Sequence, residues 1–479
     1  MQNDIENKIK ALCDEDKDDE AVKLITALSA EEQTDEIKSL LGRAYNGLER
    51  YEEALSVLMS VKESQAGTAL WNFRVGYAYY FLKNYTEALR YFREASVLDP
   101  EDDGARDCIA RCELERPFTL RVSEFWNWFR DHAEEIEIQA QPEVIKHSKK
   151  KFGELLSQGL SIIGNSVACQ IGIQGLEIYF SIMNFAALYM NPYIVKKAPA
   201  VVRGKWDVFC CRHPLPKTDF VFSMYHKNIC LSDVMVQYEY DRENKYFDIK
   251  YYHSSLAQLD DISGKNMFQD MLDLVLGDGP VHNYINNVEL VESSEGMFPL
   301  TQLPEVIKQT LEENGITYSL EPELPFRKYE RKTNDEDCRV RFDITKGTTN
   351  CMPLIVEYYY GEDQIYHDFV CCGIAPMMLI IQKPADMDTK YFMEYLGEIQ
   401  ERIEDLFQQG GNIEGQIIGN AYGRLGYGYI DLLVYDKNAF MEYIENPYCL
   451  NKILKPQKGV PMPTTFVQDF VYYGEIQSL

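Results

Sequence analysis

Residues 69–100 read ALWNFRVGYAYYFLKNYTEALRYFREASVLDP, and the spacing of small and large side chains in this stretch predicts a helical hairpin. Gly76 and Ala88 are small where two antiparallel helices would cross closely. Tyr79, Tyr85 and Phe92 are large enough to fill the space around that crossing. Pro100 ends the hairpin, because a proline cannot donate the next helical hydrogen bond. The pattern also stands 34 residues earlier, as Leu41-Gly42, Tyr45, Tyr51, Ala54, Leu58 and Val61. A fixed period of this length marks stacked repeats, each burying its apolar face against the next.

Val75-Gly76, Tyr79, Tyr85, Ala88, Phe92, Ala95 and Pro100 together resemble the signature of the tetratricopeptide repeat. The resemblance implies an all-α solenoid with 35–66 and 69–100 as its two good repeats. Ile5, Ile9 and Leu12, then Ala21, Leu24, Ile25 and Leu28, predict a degenerate first hairpin over 1–32. Residues 103–115 predict a closing helix with Ile109, Ala110 and Leu114 inward and Arg106, Asp107, Arg111 and Glu113 outward. The resemblance also implies a peptide groove lined by the first helix of each repeat. That face carries Leu70, Phe73, Tyr77 and Tyr80 in one stripe, with Arg74 beside it, and Arg43 and Asn46 in the preceding repeat. Family members that clamp a C-terminal carboxylate use Lys and Asn at set groove positions. Ser39, Arg43 and Arg74 stand there instead, so that clamp is incomplete. An aromatic groove suits an apolar peptide or helix. Packing of the stripe on downstream residues of the same chain is the competing expectation.

A chain of 479 residues predicts roughly two to four domains at about 100–200 residues each. Its net charge of −28 argues against general nucleic-acid binding, which needs a basic stripe to neutralise phosphates. The same charge disfavours an anionic membrane surface. No apolar run approaches the ~20 residues that span a bilayer. The opening MQNDIENKIK lacks the apolar core of a signal peptide. The expected location is cytoplasmic, with the 12 scattered cysteines reduced and acting as small hydrophobes.

Beyond residue 117 the pattern changes. EFWNWFRDH (124–132) predicts a helix start with Ser123 as N-cap, and 143–160 a second helix. Strands are expected at 167–173, 176–182, 206–211, 220–224, 234–240 and 246–252, the last two forming a hairpin through 241–245. A helix over 267–276, a turn at 277–280, a strand over 284–291 and a helix over 301–314 stopped by Gly315 follow. In 316–479 strands are expected at 339–345, 354–360, 367–372 and 377–381, then a helix over 391–409. A hairpin of 414–422 and 428–435, a short helix at 439–444 and a last strand at 465–474 complete the chain. The helix, the Gly-rich hairpin and YIDLLVYD (429–436) resemble a family of small bacterial α+β domains of unknown function. The expected fold class is multidomain α+β. A tetratricopeptide solenoid with capping helix occupies 1–116, and two antiparallel-sheet α+β domains occupy 117–315 and 316–479. Both are expected to be ferredoxin-like with helices on one face, the second repeating the plan of the first.

No catalytic constellation has specific spacing. His132, His147, His213, His226, His253, His282 and His367 form no pair at metal spacing, and no Cys-x-x-Cys occurs. Cys210-Cys211 and Cys371-Cys372, read as strand residues, would point to opposite faces and could not share an ion. On a strand, His367 would stand about 13 Å from Cys371, too far for proton transfer. GRLGYGY (423–429) lacks the Lys-Ser/Thr of a phosphate loop and reads as a hairpin turn, as does LGDGP (276–280). Asp260-Asp261 and 335–337 read as solvated loops. No metal or cofactor is expected, and the oligomeric state is not legible.

The reading is a non-catalytic protein–protein interaction or adaptor protein with a protein or peptide partner, and without nucleic acid or membrane. An enzyme with its site in the cleft between the α+β domains is the alternative. An antitoxin or immunity-type binder, motivated by the acidity, is a narrower version.

Overall fold

The N-terminal helices form where apolar residues recur every three or four positions and polar side chains cap the starts. The structure, a computed structural model, describes residues 2–164, 166–172, 176–216, 220–332, 339–409, 411, 413–455 and 463–470. Two compact units divide it, Met1–Pro117 and Phe118–Leu479.

The first unit is all helical. α1 (Gln2–Asp14) pairs with α2 (Asp18–Thr26), and α3 (Asp35–Gly47) with α4 (Tyr51–Ser60) and the short α5 (Lys62–Gln65). α6 (Ala69–Phe81) pairs with α7 (Tyr85–Leu98), and α8 (Asp103–Glu115) closes the array. Thr34, Asn84 and Asp102 cap α3, α7 and α8 by accepting from the backbone N–H groups of Ile37, Glu87 and Gly104. Gly76 is needed for space: a Cβ there would meet Phe92 Cδ1 at 2.9 Å. The inward face of α8 differs from expectation. Ala105 and Cys112 are buried with Cys108 and Ile109 half-buried, while Ala110 is exposed and Leu114 is 55% exposed. Small side chains at 105, 108 and 112 let α8 lie close on α7, and that fixes the register.

The second unit begins with α9 (Phe118–Ala140), one continuous helix, so Ser123 lies in its interior and caps nothing. Phe118, Val122, Phe125, Trp126 and Phe129 are its buried stripe. α10 (Pro142–Leu160), β1 (Ala168–Ile171) and β2 (Glu177–Ser181) follow, then α11 (Ala187–Lys196), α12 (Ala200–Arg203) and β3 (Asp207–Phe209). β1 runs antiparallel and β3 parallel to β2.

A four-stranded sheet comes next. β4 (Val221–Met224) and β5 (Lys227–Cys230) form a separate hairpin before β6 (Met235–Asp241) and β7 (Tyr246–Tyr252). The latter two pair from Met235–Tyr252 to Asp241–Tyr246, as expected, and Asp241 accepts the turn N–H groups of Glu243 and Asn244. α13 (Asp261–Leu276) leads into α14 (Asp278–Tyr284), a helix where only a turn was expected. β8 (Ile285–Leu290), β9 (Phe298–Pro299) and α15 (Leu303–Glu313) complete it. The strand order is β8-β7-β6-β9, with β7 and β8 parallel. This is not a ferredoxin-like order.

The last part is a six-stranded antiparallel sheet ordered β10-β11-β13-β14-β12-β15. Its elements are β10 (Arg327–Glu330), β11 (Ile344–Thr349), α16 (Met352–Tyr360), α17 (Gln364–Val370), β12 (Ala375–Gln382) and α18 (Thr389–Gln408). β13 (Gly415–Gly423), β14 (Tyr427–Val434), α19 (Lys437–Glu445), α20 (Pro447–Leu454) and β15 (Thr465–Asp469) follow. β12-α18-β13-β14-α19/α20-β15 is the split βαβ arrangement expected, extended at the β13 edge by β11 and β10. The two sheets differ in order, so the second does not repeat the first.

Three expected strands fail here for physical reasons. Residues 339–343 are not extended, because Arg341 is left-handed (φ 68°) and the strand starts only at Ile344. Residues 354–360 and 367–372 fall in α16, in α17 and in the turn after α17. Pro353 in the first turn and left-handed Gly361 at the end of α16 were the helix signals. The expectations at Ile173, 335–337 and 471–474 lie outside the described residues.

Apolar cores show how these parts join. β12 is buried on both sides, Met377, Leu379 and Ile381 facing a core with α18–α20 and Met378 and Ile380 facing another. Helices therefore cover both faces of the larger sheet, not one. The second of these cores unites residues 118–206 with residues 342–470. Residues 229–311 build a core of their own between.

Candidate functional site

On α6 the expected groove residues separate into two groups. Leu70 is 65% exposed. Phe73 meets Phe92 edge-on with ring centres 5.4 Å apart, and with Tyr77 and Tyr80 it lies half-buried against Cys108 and Cys112 of α8. Phe81, not singled out from sequence, is 44% exposed, stacks on Tyr51 at 4.9 Å and meets the tilted ring of Tyr77 at 4.7 Å. Its signal was the four-residue step from Tyr77. The aromatic cluster thus runs Tyr51, Phe81, Tyr77, Tyr80 and Tyr85.

The polar members hold helices together. Arg74 donates to Ser39 Oγ at 2.7 Å, and Asn46 Nδ2 donates to the Arg74 carbonyl at 2.9 Å. These bonds join α6 to α3. Burial first, and the nearby Arg43 charge second, lower the Arg74 guanidinium to about 10. Arg43 itself pairs with Asp14 of α1 at 2.7 Å.

In the second unit a cavity of about 440 Å³ opens among Tyr246, His282, Asn283, Glu323, Arg327 and Asn350. His282 Nε2 lies 3.3 Å from the Glu323 carbonyl, and burial holds the imidazole below its ordinary 6.5.

Neither adjacent cysteine pair lies on a strand, so the expected opposition of thiols fails. Cys371 and Cys372 follow the last turn of α17, with sulfurs 3.9 Å apart. His367 is four residues back on that helix and on the same side as Cys371, not the 13 Å a strand would give. Cys210 and Cys211 follow β3 in a bend. Cys210, Cys211 and Glu321 place one ligand atom each within 4.8 Å of one another. Cys210 Sγ lies 2.5 Å and Cys211 Sγ 3.9 Å from Glu321 Oε2, and His213 Nε2 lies 3.5 Å from Glu321 Oε1. The Cys210 thiol donates to Glu321 Oε2. The neighbouring Cys210 side chain first, and then His213, draw Cys211 down to about 7 against burial. His213 is raised to about 9, first by Cys211 and then by Glu321.

The tetratricopeptide repeat family matches residues 69–102. With the surrounding run of helices, the match shows a tetratricopeptide-type array at the N-terminus. No curated protein matches the chain. Among the described residues no helix is long and apolar enough to cross a membrane.

Proposed function

We propose that this is a non-catalytic interaction or adaptor protein whose N-terminal array holds an apolar peptide or helix of a protein partner. Repeats of this family support a protein–protein interaction role in general. One observation carries the finer reading: Leu70, Tyr77 and Phe81 share one side of α6, with Leu70 and Phe81 still open to solvent. Apolar anchors one and two turns apart are what an amphipathic partner helix meets in a groove. Phe73 and Tyr80 back this stripe, while Arg74, Asn46 and Arg43 keep α3 and α6 in register. The partner is a cytoplasmic protein, and the charge of −28 turns away nucleic acid and anionic membrane.

The test is affinity capture from native lysate with the full chain and with Leu70→Glu/Phe81→Glu, read by mass spectrometry. Leu70 is 65% exposed and Phe81 lies at the edge of its aromatic cluster, so the variant keeps its helical circular dichroism, with a somewhat lower melting temperature from the lost stack on Tyr51. A partner held by the wild type and lost by the folded variant supports the groove. A partner held equally by both overturns it.

The cavity beside His282 favours a second reading, a small-molecule or catalytic site in the cleft beside the four-stranded sheet. A metabolite that raises the melting temperature of the wild type but not of Asn350→Trp would support it.

A further inference from the structure

We propose that Cys210, Cys211, His213 and Glu321 hold one zinc ion, which fastens the outgoing connection of the 229–311 core to its returning one. Two sulfurs, an imidazole nitrogen and a carboxylate oxygen form a borderline-soft donor set. Such a set suits zinc and does not suit calcium or magnesium, which take oxygen ligands. Zinc holds its ligands at about 2.0–2.3 Å, so tetrahedral ligand atoms stand roughly 3.3–3.8 Å apart. The Cys211 Sγ–Glu321 Oε2 distance of 3.9 Å already approaches that spacing, and His213 faces the other carboxylate oxygen at 3.5 Å. Cys210 Sγ stands closer to Oε2, at 2.5 Å, where its thiol proton donates, so binding replaces that proton with the ion and moves the sulfur outward. Adjacent cysteines can share an ion here because β3 ends at Phe209 and the chain bends.

The scaffold around the four side chains is built. Arg212, between the ligands, turns away to Asp278 at 2.7 Å and Asp273 at 3.0 Å. Asp278 is buried and also accepts from the backbone N–H groups of Arg212 and Ile182, so the 210–213 backbone is held at a fixed place. Phe209 and Tyr179 wall the His213 ring at 4.4 Å and 5.5 Å. On the other side, Asn283 Nδ2 and Ser319 Oγ both donate to the Glu321 carbonyl, at 2.8 Å and 3.0 Å. Asn283 Oδ1 accepts from Glu323 N–H at 2.7 Å. Both ligand-bearing segments press on the start of α14. A Cβ on Gly277 would stand 2.7 Å from the Arg212 carbonyl, and one on Gly279 would collide with the Leu320 carbonyl. Such support sets ligand orientation before any ion arrives.

The topology gives the ion its role. The chain leaves the 118–206 region through 210–213, builds the core of residues 229–311, and returns through 320–321 toward β10. A zinc ion bridging these segments closes that loop at its neck. Ions that bind only the folded chain stabilise it by mass action.

The experiment uses the full chain, stripped with a chelator and titrated with Zn²⁺ and with Co²⁺ alone. One equivalent of zinc bound with sub-micromolar Kd is expected. Co²⁺ should give a thiolate-to-cobalt charge-transfer band and the visible bands of a tetrahedral site. Cys210→Ser/Cys211→Ser should weaken binding by roughly 100-fold and abolish the charge-transfer band. If that variant does not fold, Glu321→Gln serves instead. Glu321 is exposed, and its loss should weaken zinc by roughly 10-fold and shift the visible cobalt bands while the chain stays folded. Zinc should raise the melting temperature of the wild type and of Cys371→Ser/Cys372→Ser alike. No zinc bound at micromolar concentration overturns the proposal. So does an equivalent retained undiminished by Cys210→Ser/Cys211→Ser, or a Cys210–Cys211 disulfide in the freshly purified chain.

Discussion

Arg341 and Asp431 form a two-pronged ion pair with no exposed surface on either side chain, at 2.5 Å and 2.8 Å. Arg341 N–H donates to Tyr429 Oη at 3.0 Å, and Tyr429 donates on to Asp343 at 2.6 Å. The Phe470 ring lies 4.3 Å below the guanidinium. Burying two charges costs several kcal/mol, and the attraction repays it only while both partners stand. Asp431→Asn should therefore cost about 3–5 kcal/mol in urea unfolding. Arg341→Met/Asp431→Leu should cost much less than Asp431→Asn alone. A double variant as unstable as Asp431→Asn would contradict this, because the cost would then lie in losing the pair and not in stranding one charge.

Close helix crossing in the array predicts a sharp asymmetry between two glycines. A Cβ on Gly42 would stand 2.4 Å from Leu58 Cγ, and one on Gly67 meets nothing within 4 Å. Alanine raises helix propensity by about 1 kcal/mol over glycine, yet overpacking costs about 1–3 kcal/mol. Gly42→Ala should thus destabilise the array and lower its melting temperature. Gly67→Ala should leave it unchanged.

His282 predicts a pH dependence. Burial depresses its pKa below the ordinary 6.5, so the folded chain holds it neutral. As pH falls below about 6.5 the unfolded chain gains a proton that the folded chain refuses. Its contribution to stability is complete above that pH and is lost as pH falls toward the folded value. The NMR titration of His282 should have its midpoint below 6.5, and His282→Gln should flatten stability between pH 7 and pH 5. A midpoint at or above 6.5 would refute this.

Cysteine reactivity should be uneven. Cys371 is drawn down to about 6 by the Cys372 thiol, against burial, with Ser166 and His367 adding to the pull. Burial pushes Cys112, Cys169 and Cys351 up to about 12. Because the thiolate is the nucleophile, pulse alkylation at pH 7 should label Cys371 well before those three. Equal labelling, judged by peptide mass spectrometry, would contradict the assignment.

The helical array is legible in sequence because its determinants are local. Gly76, Ala88 and Phe92 meet within one hairpin, and their spacing is itself the contact map. The same holds for β13 and β14, joined by the turn Gly423–Gly426, and for α18 with its long apolar stripe. MPLIVEYYY (352–360) is another matter. It is apolar at most positions, so periodicity decides nothing, and the helix is marked only at its ends, by Pro353 in the first turn and left-handed Gly361 after the last. The cysteine cluster was illegible for a third reason. His213 and Glu321 are 108 residues apart, and the geometry of Cys210 and Cys211 depends on where β3 stops. Phe81 escaped notice because its stacking partner Tyr51 belongs to the preceding repeat.

The shared core of residues 118–206 and 342–470 also sets a schedule for synthesis. Arg121 donates to the Cys371 carbonyl, a partner 250 residues downstream. At about 5–20 residues per second the ribosome needs roughly 12–50 s to deliver it. Throughout that interval Phe118, Phe125, Trp126 and Phe129 are on the emerging chain without the sheet that later covers them. The helical array ahead of them can already have folded, and so can the core of residues 229–311 as soon as it emerges. The nascent chain is thus an ordered beginning and an ordered middle flanking a sticky aromatic helix, and its vulnerability to aggregation ends only when β12 and β14 arrive.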